Sequence, residues 1–222
     1  MKILGISASP RSSNSLTRKL VEAVLDGARS KGARTELAAI CTLNIEFCNA
    51  CGVCHSRGGC VKKDDFPALY RKILAADGLV MGSPNYFRSV TAQMKTMIDR
   101  MAEAAHCQLL TGKYTVNVAT SGGTGQQRQV TDYLNRIMLN FGSFITGSTG
   151  VAVRQGPKAF GNAERRAFRL GGKLADDIGA KRTYPAQEKT KEANRAYFRD
   201  LVAMRKDDWA HEYRYWQRMG KE

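Results

Sequence analysis

The sequence predicts an α/β protein whose parallel sheet is covered by helices on both faces. Three observations support this fold class. Short apolar segments alternate with longer amphipathic segments over residues 1–153. The apolar segments are continuous, as expected for strands that are buried on both faces of a sheet. Each strand is separated from the next by a helical segment, so right-handed crossovers would produce a doubly wound sheet.

The individual elements follow from the order of these segments. Five strands are expected, at residues 3–6, 35–40, 79–81 and 114–119, with a fifth in or around residues 144–153. Asp64 or Asp65 can cap the helix that follows the second strand. Four helices are expected from apolar side chains that repeat every three or four residues and face the core. These side chains are Leu16, Leu20, Val24 and Ala28; Phe66, Leu69, Tyr70, Ile73 and Leu74; Met94, Met97, Ile98 and Met101; and Val130, Tyr133, Leu134, Ile137 and Met138.

The pattern changes near residue 154 to helix without strand. We therefore expect one domain over residues 1–153, with a cysteine-rich loop at residues 46–63, and a helical C-terminal extension over residues 154–222. Trp209, Tyr213 and Trp216 form an aromatic stripe on the last helix. This stripe either packs against its own domain or covers a bound ligand or a partner subunit.

The chain of 222 residues carries a net charge of +15, which is spread along its length. Because no nucleic-acid-binding motif accompanies the charge, we expect a basic surface that attracts nucleotides or acidic electron carriers, and no nucleic-acid partner. No apolar segment approaches the roughly 20 residues that span a bilayer, and the N-terminus reads directly into a strand. A cytoplasmic location without a membrane partner is expected.

The loop after the first strand has the composition of an anion site. Hydroxyl and amide side chains crowd it together with one arginine, immediately before a helix whose free N–H groups and dipole favour a phosphate. The dinucleotide and ATPase motifs rich in glycine are absent from this segment, which argues against those nucleotides. The candidate phosphate ligands are Ser9, Arg11, Ser13, Asn14 and Ser15.

Two further loops are expected at the same edge, because ligands of such sheets bind beyond the carboxyl ends of the strands. One of them brings aromatic side chains and a rigid proline, and the other brings glycines that let a flat ring approach the backbone. The candidates are Pro84, Asn85, Tyr86, Phe87, Ser121, Gly122, Gly123 and Gly125, within a loop that also contains Thr124. A phosphate cradle, an aromatic wall and a glycine-rich edge together predict a pocket for flavin mononucleotide (FMN).

Four cysteines, Cys48, Cys51, Cys54 and Cys60, have the spacing C-x2-C-x2-C-x5-C. This spacing is typical of a cubane iron–sulfur cluster, whereas structural zinc sites usually contain two separated C-x2-C pairs. Free thiols, disulfides or a zinc ion remain the alternatives. His55 lies within the loop and is expected to be exposed to solvent.

Several segments resemble the NADPH-dependent FMN reductase family: the S-x-S-P-R-x-x-N-S turn, the G-S-P-x-Y-F segment and the T-S-G-G loop. The resemblance implies a flavodoxin-like fold with strand order 2-1-3-4-5, bound FMN, and homodimers or homotetramers. The cysteine motif before Asp64 and Asp65 resembles the iron–sulfur flavoprotein branch, which implies a [4Fe-4S] cluster on the four cysteines. In that branch, the cluster of one subunit approaches the flavin of its partner. Asn85 and Arg88 depart from the family pattern, which has an apolar residue and a glycine there.

The sequence therefore predicts an FMN-dependent oxidoreductase that transfers electrons between FMN and a [4Fe-4S] cluster. The loops contain no evident catalytic acid or base, and we assign no catalytic residue. NAD(P)H or an acidic carrier such as ferredoxin is the expected electron partner. The alternatives are an NAD(P)H-dependent FMN or quinone reductase without a cluster, and a non-enzymatic interaction protein that binds zinc.

Overall fold

The computed structural model describes residues 1–123 and 125–220, except for the side chain of Ser12. Thr124 in the predicted third loop, and Lys221 and Glu222 at the end of the predicted extension, therefore lie outside the described residues. The strands are β1 (Lys2–Ser7), β2 (Arg34–Ala39), β3 (Gly78–Pro84), β4 (Tyr114–Ser121) and β5 (Phe144–Ala152). They pair in parallel in the order β2-β1-β3-β4-β5, which confirms the predicted topology.

The helices connect these strands and continue beyond β5. They are α1 (Leu16–Arg29), α2 (Val53–Arg57), α3 (Phe66–Ala75), α4 (Ala92–Asp99), α5 (Ala102–His106), α6 (Gln126–Asn140), α7 (Gly156–Gly179), α8 (Pro185–Met204) and α9 (Ala210–Met219). Several strands extend further toward their carboxyl ends than their apolar residues predict. β3 continues to Pro84 because its backbone still pairs with that of Thr120 in β4.

Two apolar cores lie on opposite faces of the sheet. Leu4 and Ile6 of β1 point into the core formed with α3, α4 and α6. Ile3, one residue earlier, points into the core formed with α1 and α7. This alternation along one buried strand is the pleat of a sheet with helices on both faces. Met94 and Met97 are completely buried in the first core, as predicted.

Helices α1 and α7 approach each other closely at two glycines. A Cβ atom at Gly171 of α7 would overlap the carbonyl oxygen of Val24 in α1, and a Cβ atom at Gly27 of α1 would overlap that of Phe168 in α7. A glycine at each position therefore lets the two backbones touch. Since Ala163 and Leu174 of α7 also belong to the core of the sheet, this helix packs as part of the same layer.

We expect Gly171→Ala to destabilise the protein by about 1–3 kcal/mol or more, because the added methyl group forces α1 and α7 apart. Gly161→Ala is the matched control in the same helix, since its Cβ would meet only Arg165 Nη1 at 3.9 Å. That substitution should stabilise the protein by up to about 1 kcal/mol through helix propensity. Urea unfolding followed by circular dichroism compares the two, and equal midpoints would contradict the close-packing argument.

The C-terminal helices fold back onto the sheet domain. Trp216 of α9 is buried, and its Nε1 donates a hydrogen bond to the carbonyl oxygen of His106 at 3.1 Å. Trp209 stacks on the rings of His55 and His106. Both tryptophans of the aromatic stripe therefore pack against their own domain, which is one of the two arrangements expected from the sequence. No helix in the described ranges is both long and apolar enough to cross a membrane.

Candidate functional site

A cavity of about 260 Å³ lies beyond the carboxyl ends of β1, β3 and β4. The three loops that the sequence singled out converge on it, as the rule for open parallel sheets requires. Its lining contains eight of the predicted FMN-binding residues: Ser9, Arg11, Ser15, Pro84, Asn85, Tyr86, Ser121 and Gly122.

The first loop presents the N-terminus of α1 to this cavity. Ser15 is the N-cap of the helix, and its hydroxyl accepts a hydrogen bond from the N–H of Arg18 at 3.1 Å. Leu16 and Thr17 follow at the first helical positions and line the cavity. Their N–H groups have no partner inside the helix and carry its positive dipole end. Together with Arg11, they make this end of the cavity suited to a phosphate group.

A hydrogen bond joins the first loop to the end of β4. The hydroxyl oxygens of Thr17 and Thr120 lie 2.6 Å apart, and both residues are buried. Both also line the cavity. The contact joins the start of α1 to the end of β4 at the wall of the cavity.

The second loop turns sharply after Asn85. Tyr86 and Ser89 exchange backbone hydrogen bonds of 2.9 and 3.0 Å around Phe87 and Arg88. Both central residues have a positive φ, 48° at Phe87 and 66° at Arg88. Such tight turns favour glycine, which explains physically why the family pattern has a glycine where this chain has Arg88.

Asn85 links the second loop to the third. Its backbone N–H donates to the carbonyl oxygen of Thr120 at 2.7 Å, and its side-chain amide donates to that of Gln126 at 3.3 Å. An apolar residue at this position could not make the second bond. Asn85, where the family pattern has an apolar residue, therefore connects two loops of the cavity by hydrogen bonds.

Five of the predicted FMN ligands do not line the cavity. Ser13 and Asn14 are exposed, and the side chain of Phe87 is fully exposed on the outside of its turn. Gly123 and Gly125 lie further along the third loop. Their roles stay predictions. Leu16 and Val153 also line the cavity, although the sequence did not point to them; apolar residues at the end of a helix or strand carry no signal that separates them from core residues.

A second, smaller cavity of about 50 Å³ is lined by all four cysteines of the motif. Cys48 and Cys51 are exposed, Cys54 and Cys60 are half-buried, and none of the four is in a disulfide. The segment winds around the cavity through left-handed residues, among them Gly52, Gly58 and Gly59. Among the described residues, no three cysteine sulfurs lie within 4.8 Å of one another, so the thiols are not drawn onto a common point.

Arg100 forms one wall of this cysteine cavity. Its guanidinium pairs with the carboxylate of Asp64 at 2.7 Å, and the two side chains are 1% and 0% exposed. Nε of Arg100 is buried, and within the described part of the chain it has no hydrogen-bond partner. Lys62, a further residue of the lining, pairs with Glu46 at 2.6 Å. The cavity thus combines four thiols with two cationic side chains.

The expectation that His55 is exposed is wrong. Its side chain is 15% exposed, and its Nδ1 lies 2.8 Å from Oε1 of Glu212 in α9. Hydrogen bonds with Cys54 and with Glu212 raise the pKa of His55 to about 10. The C-terminal helix covers this part of the loop, and the sequence of the loop alone contains no sign of that contact.

Comparison with known proteins places the chain in a family. The NADPH-dependent FMN reductase family matches residues 1–158. An iron-sulfur flavoprotein of Archaeoglobus fulgidus is 35% identical over 191 residues, which cover 85% of this chain and 86% of that protein. The chain belongs to the NADPH-dependent FMN reductase family. A second iron-sulfur flavoprotein, from Methanocaldococcus jannaschii, is 30% identical over 81% of this chain and 90% of its own length.

Solved structures agree with this family fold. The NAD(P)H:quinone oxidoreductase from Methanothermobacter marburgensis superimposes with a TM-score of 0.62 at 20% identity, covering 78% of this chain and 96% of that one. As an FMN reductase family member with a flavodoxin-like sheet, the chain is a flavin-dependent oxidoreductase, and FMN is its flavin.

Proposed function

We propose that this oxidoreductase exchanges electrons between FMN, bound in the cavity at the ends of β1, β3 and β4, and a [4Fe-4S] cluster held by Cys48, Cys51, Cys54 and Cys60. One observation carries the proposal: the four cysteines line a single cavity that a buried arginine closes on one side. The names of the two relatives, both iron-sulfur flavoproteins, support it.

The flavin cavity fits the phosphate and polar chain of FMN. Its volume of about 260 Å³ is close to the lower end of the roughly 300–1,000 Å³ typical of ligand pockets. Ser9, Arg11 and Ser15, together with the first N–H groups of α1, would hold the phosphate. Pro84, Asn85 and Tyr86 would bound the ring on one side, and Ser121 and Gly122 on the other. We keep Ser13, Asn14, Phe87, Gly123 and Gly125 as proposed ligands that would have to move toward the cavity.

Ser9→Ala and Ser15→Ala are each expected to weaken FMN binding by about 10- to 100-fold, the effect of losing one hydrogen bond to a charged group. Ser15→Ala should also cost about 1 kcal/mol of stability, because Ser15 caps α1. Ser30→Ala is the control at the other end of the same helix, where the hydroxyl of Ser30 donates to the carbonyl oxygen of Gly27. Flavin fluorescence during dialysis measures retention, and full retention in both cavity variants would refute the phosphate assignment.

The cysteine sulfurs are not gathered closely enough to match a single tetrahedral zinc ion. A tetrahedral zinc site with Zn–S bonds of about 2.3 Å would hold its sulfurs about 3.8 Å apart, whereas a cubane separates its ligand sulfurs more widely. The absence of any three cysteine sulfurs within 4.8 Å of one another, among described residues, is consistent with the larger group. The buried Nε of Arg100 offers a donor to a cluster sulfur, and hydrogen bonds of this kind tune cluster potentials.

FMN accepts electrons in pairs and can release them singly, and a [4Fe-4S] cluster carries one at a time. The protein side chains supply binding and electrostatics: Arg11 would offset phosphate charge, and Arg100 and Lys62, each paired with a carboxylate, place cationic groups beside the thiolates. NAD(P)H is the donor that we propose for the flavin, and an acidic carrier such as ferredoxin fits the net charge of +15. We propose a homodimer or homotetramer in the cytoplasm as the working form.

Quantification of FMN, iron and acid-labile sulfide on one anaerobic preparation tests the proposal. We expect about one FMN and about four iron ions per chain, with visible absorption that bleaches on reduction. Flavin without iron or sulfide would contradict the cluster and leave a cluster-free reductase of the same family. A preparation that holds zinc on the cysteines and no iron would contradict it as well.

A further inference from the structure

Three potential metal ligands from three separate elements meet beside the cysteine loop. They are His55 of α2, His106 at the end of α5 and Glu212 of α9, and their ligand atoms all lie within 4.8 Å of one another. Nδ1 of His55 lies 2.8 Å from Oε1 of Glu212, and Nδ1 of His106 lies 3.0 Å from Oε2. None of the three residues lines the flavin cavity, and only His55 lies within the cysteine loop, where it directly follows Cys54 and lines the cysteine cavity.

The spacing of these atoms suits a shared ion. Zinc binds imidazole nitrogens and carboxylate oxygens at about 2.0–2.2 Å, so neighbouring ligands of one ion lie about 3 Å apart. The two distances between nitrogen and oxygen in the site, 2.8 and 3.0 Å, are close to this value. Each imidazole faces a different oxygen of the same carboxylate, so one ion between them can contact all three side chains.

The burial of Glu212 supports the same interpretation. Its side chain is 0% exposed, while those of His55 and His106 are 15% and 16% exposed. A buried carboxylate requires a compensating positive charge. A divalent ion bound by the two imidazoles and the carboxylate would supply that charge.

Aromatic packing holds the imidazoles in place. The ring of Trp209 lies 4.6 Å from that of His55 and 4.7 Å from that of His106, with nearly parallel planes. The backbone of His106 is fixed by the hydrogen bond from Trp216 Nε1. Preorganised ligands of this kind lose little freedom when an ion binds.

We propose that His55, His106 and Glu212 form a binding site for one divalent transition-metal ion of the zinc class. Two imidazoles and one carboxylate are a donor set typical of zinc and ferrous iron. Magnesium and calcium favour sites made of oxygen ligands alone. The ion ties α9 to the cysteine loop through α2 and to α5. The site goes beyond the proposed function and uses none of the four cysteines as a ligand, although His55 is hydrogen-bonded to Cys54.

Titration of Zn²⁺ into the anaerobically prepared protein, with its FMN and iron in place, tests the site by calorimetry. We expect one Zn²⁺ per chain in the wild-type protein. Glu212→Gln should weaken binding by more than roughly 100-fold, a loss that removing even an outer partner of a ligand can cause. His106→Asn keeps an N–H donor for Glu212 but removes the imidazole, and it should lose the ion as well. His211→Asn is the control on α9, because His211 pairs with Glu103 outside the site.

X-ray absorption at the zinc edge of the wild-type protein gives a measurement that needs no variant. We expect nitrogen and oxygen scatterers at about 2.0–2.1 Å and no sulfur at about 2.3 Å. Absence of zinc binding, wild-type affinity in Glu212→Gln, or a sulfur shell at about 2.3 Å around zinc in the wild-type protein would each overturn the proposal. The iron content of the same preparation decides the cluster proposal separately, so either proposal can fail without the other.

Discussion

Cys51→Ser is expected to remove the iron of the protein while leaving FMN bound. Cys51 is exposed and lies outside both apolar cores, so its replacement should not disturb the fold. Serine is a poor ligand for iron, and a cubane that loses one of its four thiolates is released or degraded. Iron should fall from about four ions per chain to about none. Reduction of the flavin by NAD(P)H should persist, and reduction of one-electron acceptors should fall with the iron.

Cys41→Ser is the matched control, because Cys41 is a half-buried free thiol outside the motif. It should keep both iron and FMN. Iron, sulfide and flavin analyses of the two variants, with circular dichroism to verify folding, make the comparison. Four irons retained in Cys51→Ser would remove this cysteine from the ligand set. FMN lost together with iron from a folded Cys51→Ser protein would contradict the separation of the two sites that the two cavities indicate.

The sheet could be predicted because each strand is buried on both faces and therefore reads as a continuous apolar segment. The flavin cavity could be predicted for a related reason: once the strands are parallel, the loops at their carboxyl ends must converge. Ser15 and Tyr86, two of the candidates in these loops, line the cavity, and their contact with FMN stays a prediction. The orientation of a side chain within a loop was not predictable in the same way. Phe87 belongs to the right loop, yet its left-handed backbone turns it outward.

The surroundings of His55 could not be predicted, because they depend on contacts between residues that are distant in the sequence. Its partner Glu212 is 157 residues away in the chain, on a helix whose position depends on the packing of all the preceding elements. A local pattern carries no information about such a contact. The spacing of the cysteines predicts a cluster in the loop, whereas the helix that covers the loop became visible only in three dimensions.

The sequence predicted Asp64 or Asp65 as a helix cap, but it did not predict the buried ion pair between Asp64 and Arg100. Asp64 does accept a hydrogen bond from the N–H of Phe66 at 3.1 Å, at the start of α3. It also accepts a hydrogen bond from the N–H of Glu46 at 2.9 Å and two from the guanidinium of Arg100, at 2.7 and 3.2 Å. Arg100 additionally donates to the carbonyl oxygen of Glu46. The pair thus anchors the beginning and the end of the cysteine loop.

Asp64→Asn is expected to destabilise the protein by about 3–5 kcal/mol at neutral pH, because it leaves the guanidinium of Arg100 buried without its counter-charge. Asp99→Asn is the control, since Asp99 pairs with Lys95 on the surface, where the side chains are 44% and 52% exposed. Losing an exposed pair of this kind costs less than about 1 kcal/mol. Urea unfolding measures both, and similar midpoints for the two variants would contradict the structural importance of the buried pair.

The same pair predicts how stability depends on pH. Burial alone raises the pKa of Asp64, but the hydrogen bonds from Arg100, Glu46 and Phe66 outweigh it and hold the pKa below its ordinary value. A carboxyl group whose pKa is lower in the folded than in the unfolded protein stabilises the fold above its unfolded pKa of about 3.9. That contribution disappears as the pH falls from there toward the folded pKa. Wild-type stability should therefore decrease more steeply below about pH 4 than that of Asp64→Asn, and parallel pH profiles for the two proteins would show that another carboxylate controls the acid transition.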